Sequence, residues 1–82
     1  QKINIEEIAV EKLFDTSGVK TIIELDLRKK TGCNIIGYKN PKGEYIINPE
    51  GDIALEANSK VIVLGRQEQI QKLNSIYDIE VG

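Results

Sequence analysis

The side chains that could do chemistry in this chain are few. Its 82 residues include no histidine and a single cysteine, Cys33. Without histidine, the commonest general base and metal ligand is missing, and Ser/His/Asp and Cys/His catalytic arrangements are excluded. Cys33 opens an apolar strand, so we interpret it as a small buried hydrophobic residue rather than a nucleophile. A lone cysteine forms no internal disulfide, which is typical of a reducing, cytoplasmic setting.

The acidic residues and the glycines also lack a catalytic or metal-binding pattern. The acidic pairs have no loop of alternating oxygen donors, as a calcium site requires; they are Glu6-Glu7, Glu24 with Asp26, and Glu50 with Asp52. The glycines do not form a phosphate-binding fingerprint. Gly37 is the exception, because a glycine in mid-strand often marks the close approach of another backbone or a ligand. We therefore expect no enzyme activity, no metal and no cofactor.

Charge and length restrict the class of partner. There are 11 Lys and Arg against 13 Asp and Glu, so the net charge is 11 − 13 = −2, and we expect no nucleic-acid partner. The one basic run, Arg28-Lys29-Lys30, is interpreted as a solvated helix face. Methionine is absent even at position 1, so we expect residues 1–82 to be a single domain of a larger protein. A core this small favours a homodimer.

The first half of the sequence predicts a strand followed by two short helices. The pairs Ile3/Ile5 and Ile8/Val10 each alternate but are out of phase, which predicts a bulge near Glu6-Glu7. Residues 15–18 predict a loop. Thr21 can cap a helix that runs to Leu25. Asp26 would cap a second helix over residues 27–31, which Gly32 would end in a left-handed conformation.

The second half predicts a hairpin, a buried strand and a helix. Strands at 34–39 and 44–47 flank the turn Asn40-Pro41-Lys42-Gly43. The continuous apolar run at 61–64 predicts a central strand. A helix is expected over 67–75, and an extended segment from 76 to 81. These elements predict an α+β fold, with a small mixed β-sheet and short helices that cover one side.

Four segments, in order, are similar to those of the RCK C-terminal (TrkA-C) domain family. The helical run Thr21–Gly32 is followed by the strand Asn34–Lys39, then by Gly43 with Ile47-Asn48-Pro49, and last by Leu55-Glu56-Ala57 with Val61–Gly65. The resemblance covers about residues 3 to 75. The family's Gly-Lys-Thr is one residue longer here, its Gly-Asp is replaced by Asn58-Ser59, and its frequent Arg is replaced by Asn40.

This resemblance implies a regulatory domain of a potassium channel or a Trk/Ktr potassium-uptake protein at the membrane. Such domains dimerise, and several bind cyclic di-adenosine monophosphate in the dimer cleft. Carried over to this chain, the cleft would have Lys39 at a phosphate, Tyr38 or Tyr45 stacked on a base, and Asn48 and Pro49 at its edge. The expected ligand-binding residues are Asn34, Ile35, Ile36, Tyr38, Lys39, Tyr45, Asn48 and Pro49.

Two alternatives stay open at this point. The same side chains would also suit a core and a symmetric interface, so the domain would be a dimerisation module without a ligand. It would equally serve as the sensor of another transporter, such as an antiporter or an anion permease. Neither the ligand, nor the transported ion, nor the sign of regulation follows from the sequence.

Overall fold

A computed structural model describes residues 2–14 and 20–79 of the chain. Its strands are β1 (Ile3–Ala9), β2 (Asn34–Lys39), β3 (Tyr45–Ile47) and β4 (Lys60–Arg66). Its α-helices are α1 (Ile22–Leu25), α2 (Leu27–Thr31) and α3 (Gln67–Ile76), and a 3-10 turn covers Val10–Lys12. The predicted loop at residues 15–18 lies outside the described residues. No helix within the described ranges is long and apolar enough to cross a membrane.

The four strands form one sheet in the order β1-β4-β2-β3. The α+β class and the RCK C-terminal-like architecture are confirmed, but every pairing between these strands is antiparallel, so the sheet is not mixed. The reason is the position of β4. The strands β1 and β2 run in the same direction, yet β4 lies between them and runs against both.

The phase change in β1 has a different cause from the predicted bulge. The register of β1 against β4 is continuous from Ile3 to Ala9. Ile5 and Ile8 are out of phase because they lie on opposite faces: Ile5 is exposed, whereas Ile8 is buried. The irregularity in the sheet lies in β2 instead, between Ile35 and Gly37.

The core lies between the inner face of the sheet and the helices. Val61 and Val63 of β4 are fully buried on this face, and Ile70 and Leu73 of α3 pack in the same cluster. The alternation of buried and half-buried residues along β4 shows that the outer face has no comparable cover. The helices therefore cover one side of the sheet, as predicted.

The short helices begin and end where the sequence predicts, with one difference. The Thr21 hydroxyl accepts a hydrogen bond from the Glu24 backbone N–H at 3.3 Å, which caps α1. Asp26 precedes α2 but makes no capping bond with its side chain. Its backbone is left-handed instead, with φ at 50°, and this turns the chain between the two helices. Gly32 ends α2 at φ 85°.

The hairpin between β2 and β3 is closed by a turn that Asn40 organises. The Gly43 N–H donates to the Asn40 carbonyl at 2.9 Å, and Gly43 has φ 87°. The Asn40 side-chain oxygen accepts from the N–H groups of Lys42 and Glu44 at 3.0 and 2.9 Å. The predicted hairpin is confirmed, with β3 starting at Tyr45 rather than at Glu44.

The C-terminal helix is slightly longer than predicted. It extends through Ile76, and its last carbonyl groups are followed by a turn at Tyr77 and Asp78. The extended segment predicted from Ile76 is therefore wrong over residues 76–78. Ile79 has no regular secondary structure, and the rest of the predicted segment, residues 80 and 81, lies outside the described residues.

Candidate functional site

A cavity of about 150 Å³ lies where the junction of α1 and α2 meets the start of β2. It is open to solvent on one side. Its walls combine aliphatic side chains with one cation, one carboxylate and one amide. The lining residues are Ile22, Asp26, Leu27, Arg28, Cys33, Asn34 and Ile35.

The turn from α2 into β2 positions the polar side of this cavity. The Thr31 hydroxyl donates to the Leu27 carbonyl at 2.7 Å and accepts from the Cys33 N–H at 3.1 Å. Thr31 is itself buried. With the left-handed Gly32, these bonds fold the strand back along the helix, so that the first residues of β2 and the first turn of α2 line the same cavity.

The cavity places one cationic residue, Arg28, and one carboxylate residue, Asp26, beside apolar walls. Arg28 is exposed, and no described carboxylate lies within ion-pair distance of it. A guanidinium group binds phosphate or carboxylate oxygens through two parallel hydrogen bonds. Asn34, also exposed, offers both donors and acceptors. Ile22 and Ile35 are half-buried and provide apolar walls beside these groups.

Of the eight predicted ligand-binding residues, the structure brings Asn34 and Ile35 together at this cavity. Ile36 follows directly, at the irregularity in β2, and its carbonyl accepts from the Asn48 N–H at 2.9 Å. Asn48 adopts a left-handed conformation, with φ at 48°. This bond holds the Asn48-Pro49 end of the hairpin against the middle of β2.

Tyr38 is a core residue and does not belong to the site. Its side chain is 2% exposed, and its hydroxyl accepts from the Glu56 backbone N–H at 3.2 Å. A ring buried in this way has no free face on which a base could stack, so that part of the prediction is wrong. The physical reason is the strand's alternation, which directs Tyr38 to the inner face beside Val61.

Lys39 and Tyr45 lie together, at the other end of β2 from the cavity. The Lys39 Nζ is 5.3 Å from the centre of the Tyr45 ring, a cation–π contact, and Tyr45 is 56% exposed. Five residues of strand separate Lys39 from Asn34, which is roughly 17 Å. A small ligand in the cavity therefore does not reach Lys39 of the same chain, and the cationic residue that lines the cavity is Arg28.

Sequence reasoning missed Ile22 and Arg28. The run Arg28-Lys29-Lys30 was interpreted as a solvated helix face. Arg28 and Lys29 are indeed exposed, but Arg28 also lines the cavity. A signal was present: a very short helix, then a glycine, then a strand. That pattern forces the strand to return alongside the helix, so a cation in the helix's first turn lies beside the strand's first residues.

Gly37 also has a simpler role than the predicted close approach of a backbone or a ligand. A Cβ atom at this position would lie 3.1 Å from Cδ1 and 3.4 Å from Cβ of Ile62. The glycine thus makes room for the Ile62 side chain on the neighbouring strand. Among the described residues, no group of three or more His, Cys, Asp or Glu is arranged to hold a metal ion.

Comparison with known proteins identifies relatives of this fold. The TrkA-C domain family model matches residues 18–77. The RCK C domain of the potassium transport protein KtrA, solved in complex with cyclic diadenosine monophosphate, is 30% identical in sequence with a TM-score of 0.69. That match covers 92% of this chain and 84% of the KtrA domain. No curated protein sequence matches the chain.

Two further structures share the fold at lower identity. The RCK domain of GsuK is 24% identical with a TM-score of 0.76; the match covers 95% of this chain but 17% of the GsuK chain. The RCK_C domain dimer of S. agalactiae BusR, in complex with c-di-AMP, is 19% identical with a TM-score of 0.71, over 93% of this chain and 91% of that one. A longer BusR chain, in complex with its busAB-promotor DNA, is covered over 37%.

Proposed function

The chain belongs to the TrkA-C domain family, and we propose that it is a regulatory, ligand-binding and dimerising domain of a potassium transport or channel protein. The observation that carries this proposal is the cavity between α1, α2 and β2, whose lining includes Arg28, Asn34 and aliphatic side chains. The 30% identity to the KtrA domain, which binds cyclic diadenosine monophosphate, supports the same ligand class here.

The proposed ligand is cyclic di-adenosine monophosphate, held between two copies of the domain. The cavity of one chain is about 150 Å³, which is below the roughly 300–1,000 Å³ that encloses a drug-sized ligand. A cyclic dinucleotide has two equal halves, so two cavities related by a two-fold axis would each take one half. The proposed stoichiometry is therefore one nucleotide per two chains.

Within each half, the residues have distinct proposed roles. Arg28 pairs with the phosphate, and Asn34 donates and accepts hydrogen bonds at the ligand's polar edge. Ile22 and Ile35 cover the apolar surface of the nucleoside. Ile36 and the Asn48-Pro49 segment would form the edge of the site next to the cavity, because the Asn48 N–H donates to the Ile36 carbonyl.

Regulation would follow from the ligand's preference for one arrangement of the dimer. A ligand that bridges two chains stabilises the geometry in which both cavities face it. Only the difference in its affinity for the two geometries shifts the equilibrium, and that shift would be passed to the transport protein. The domain itself then performs no catalysis. Its proposed setting is the cytoplasmic side of the membrane, with no nucleic-acid partner of its own.

Isothermal titration of the purified chain with cyclic di-adenosine monophosphate tests the proposal. We expect saturable binding at one nucleotide per two chains, and no binding of ATP. Absence of binding at high micromolar nucleotide would instead favour a dimerisation module without a ligand. Whether the domain serves a potassium system or another transporter is decided separately, by the sequence of the protein in which it occurs.

Two variants in the same helix locate the phosphate contact. Arg28→Gln removes the cation at both cavities, and because a hydrogen bond to a charged group contributes about 1.5–3 kcal/mol in each, affinity for the bridging nucleotide should fall at least about 100-fold. Lys29→Gln removes an equally exposed cation one residue away and should leave affinity unchanged. A loss with Lys39→Gln and none with Arg28→Gln would contradict the assignment of Arg28.

A further inference from the structure

The outer edge of β1 is the longest unpaired strand edge in the described part of the protein. β1 has seven residues and is the first strand in the sheet order, so it pairs with β4 alone. Its register is unbroken and it contains no proline. It therefore lacks the bulges and prolines that usually protect an edge from pairing with another chain.

The side chains of β1 are also unusual for an unpartnered edge. Ile3 and Ile5 are 66% and 63% exposed on the outer face of the sheet. Glu7 is 3.5 Å from Lys60 of β4, so its charge is already compensated. Lys2 and Glu6 have no ion-pair partner among the described residues. Two isoleucines and Glu6 on β1, together with Lys2 directly before the strand, thus remain available at a single edge.

We propose that β1 pairs antiparallel with β1 of a second copy of this chain, across a two-fold axis at Asn4. In this register the side chain of Lys2 lies opposite the partner's Glu6, and that of Ile3 lies opposite the partner's Ile5. The two-fold axis repeats both contacts, so the interface holds two ion pairs and two Ile–Ile contacts. The two four-stranded sheets become one continuous sheet of eight strands.

The geometry of antiparallel pairing selects this register. On an edge strand, every second residue points its N–H and C=O groups away from the sheet. In a symmetric antiparallel pair, two directly opposed residues must both point these groups at the partner or both point them away. Their residue numbers therefore add up to an even number. A sum of 8 gives the pairing described. A sum of 10 places Ile3 against the partner's Glu7, and a sum of 12 places Glu6 against itself. A sum of 6 leaves Lys2 opposite Asn4, with no charge compensated.

This surface is distinct from the cavity at Arg28. Association through β1 requires no ligand and is independent of the proposed nucleotide site. If both interfaces form, dimers joined by nucleotide would associate further into tetramers. The edge interface can therefore be tested on the free protein without any nucleotide.

A charge swap tests the register. Lys2→Glu places two like charges opposite each other at both ends of the interface, as does Glu6→Lys. A pair of opposite charges that face each other on neighbouring strands contributes about 0.2–1 kcal/mol, and like charges are destabilising. Because the interface holds two such pairs, each variant should weaken self-association about tenfold. An equimolar mixture of the two variants restores both ion pairs, so it should associate as well as the wild type in sedimentation velocity.

Cross-linking provides a second, independent readout. In the proposed register Asn4 faces the partner's Asn4, so Asn4→Cys should form an intermolecular disulfide on mild oxidation, whereas Ile8→Cys should not. Cys33 is fully buried and is left in place. Arg28→Gln should leave both readouts unchanged. A mixture that associates no better than either variant alone, or equal cross-linking at positions 4 and 8, would overturn the proposal.

Discussion

The carboxylate of Glu11 accepts a hydrogen bond of 2.7 Å from the backbone N–H of Asn58. Glu11 lies in the 3-10 turn after β1, and Asn58 lies in the turn before β4, 47 residues later. Asn58 is left-handed, with φ at 64°. The bond therefore closes the end of the β1–β4 pairing at which Ala9 lies opposite Lys60, next to the backbone bond from the Val10 N–H to the Ser59 carbonyl.

This contact makes stability depend on pH in the acidic range. The hydrogen bond from Asn58 lowers the pKa of Glu11 below its ordinary value of 4.5. A group whose pKa is lower in the folded state stabilises the fold above its unfolded pKa, and that stabilisation is lost as pH falls through its folded pKa. We expect the thermal midpoint of the wild type to fall below pH 4.5 by more than that of Glu11→Gln.

The matched comparison uses Glu44→Gln, which alters a carboxylate bonded to a side chain rather than to the backbone. Glu44 accepts from the Asn40 side-chain N–H at 2.9 Å. Thermal unfolding of the three proteins between pH 3 and pH 7 gives the result. Parallel curves for the wild type and Glu11→Gln across that range would show that Glu11 contributes no pH dependence.

Tyr38 should matter for stability and not for ligand binding. Tyr38→Phe keeps the buried ring but leaves the Glu56 N–H without its partner, which should cost about 1 kcal/mol. Tyr45→Phe changes an exposed ring and should cost nothing measurable. Urea unfolding of both variants gives the comparison, as a shift in midpoint at constant slope. Equal shifts for the two variants would contradict the burial of Tyr38.

Local signals were sufficient for most of the fold. The cap at Thr21, the left-handed Gly32 and the turn at Asn40 each depend on residues within four positions of one another, and all three are found as expected. The predictions of a mixed sheet and of a bulge in β1 were wrong because both features depend on which strands are neighbours. The apolar run at 61–64 correctly predicted that β4 is central, but no local pattern specifies that β4 lies between β1 and β2 and runs against both.

The site was less predictable than the fold. Asn34 and Ile35 line the cavity, and ligand binding by these two residues stays a prediction. Tyr38 was misplaced because the irregularity between Ile35 and Gly37 shifts the alternation along β2; Gly37 marked the position in the sequence but was interpreted as a site of close approach. Arg28 was missed because it lines the cavity together with the first residues of β2, which follow it only after the turn at Gly32.

The contact between Gly65 and Cys33 shows how tightly the floor beneath the cavity is packed. A Cβ atom at Gly65 would lie 2.8 Å from the Cys33 Sγ and 3.4 Å from Cδ1 of Ile70. Both Cys33 and Gly65 are buried, and Cys33 also lines the cavity.

Gly65→Ala should therefore destabilise the fold by about 1–3 kcal/mol through overpacking. Cys33→Ala removes the sulfur atom with which the new methyl group would collide. In the double variant the two changes should compensate in part, so its loss of stability should be smaller than the sum of the single losses by at least about 0.5 kcal/mol. Urea unfolding of the four proteins completes this cycle. Strictly additive losses would mean that the Cys33 sulfur atom is not what excludes a larger side chain at position 65.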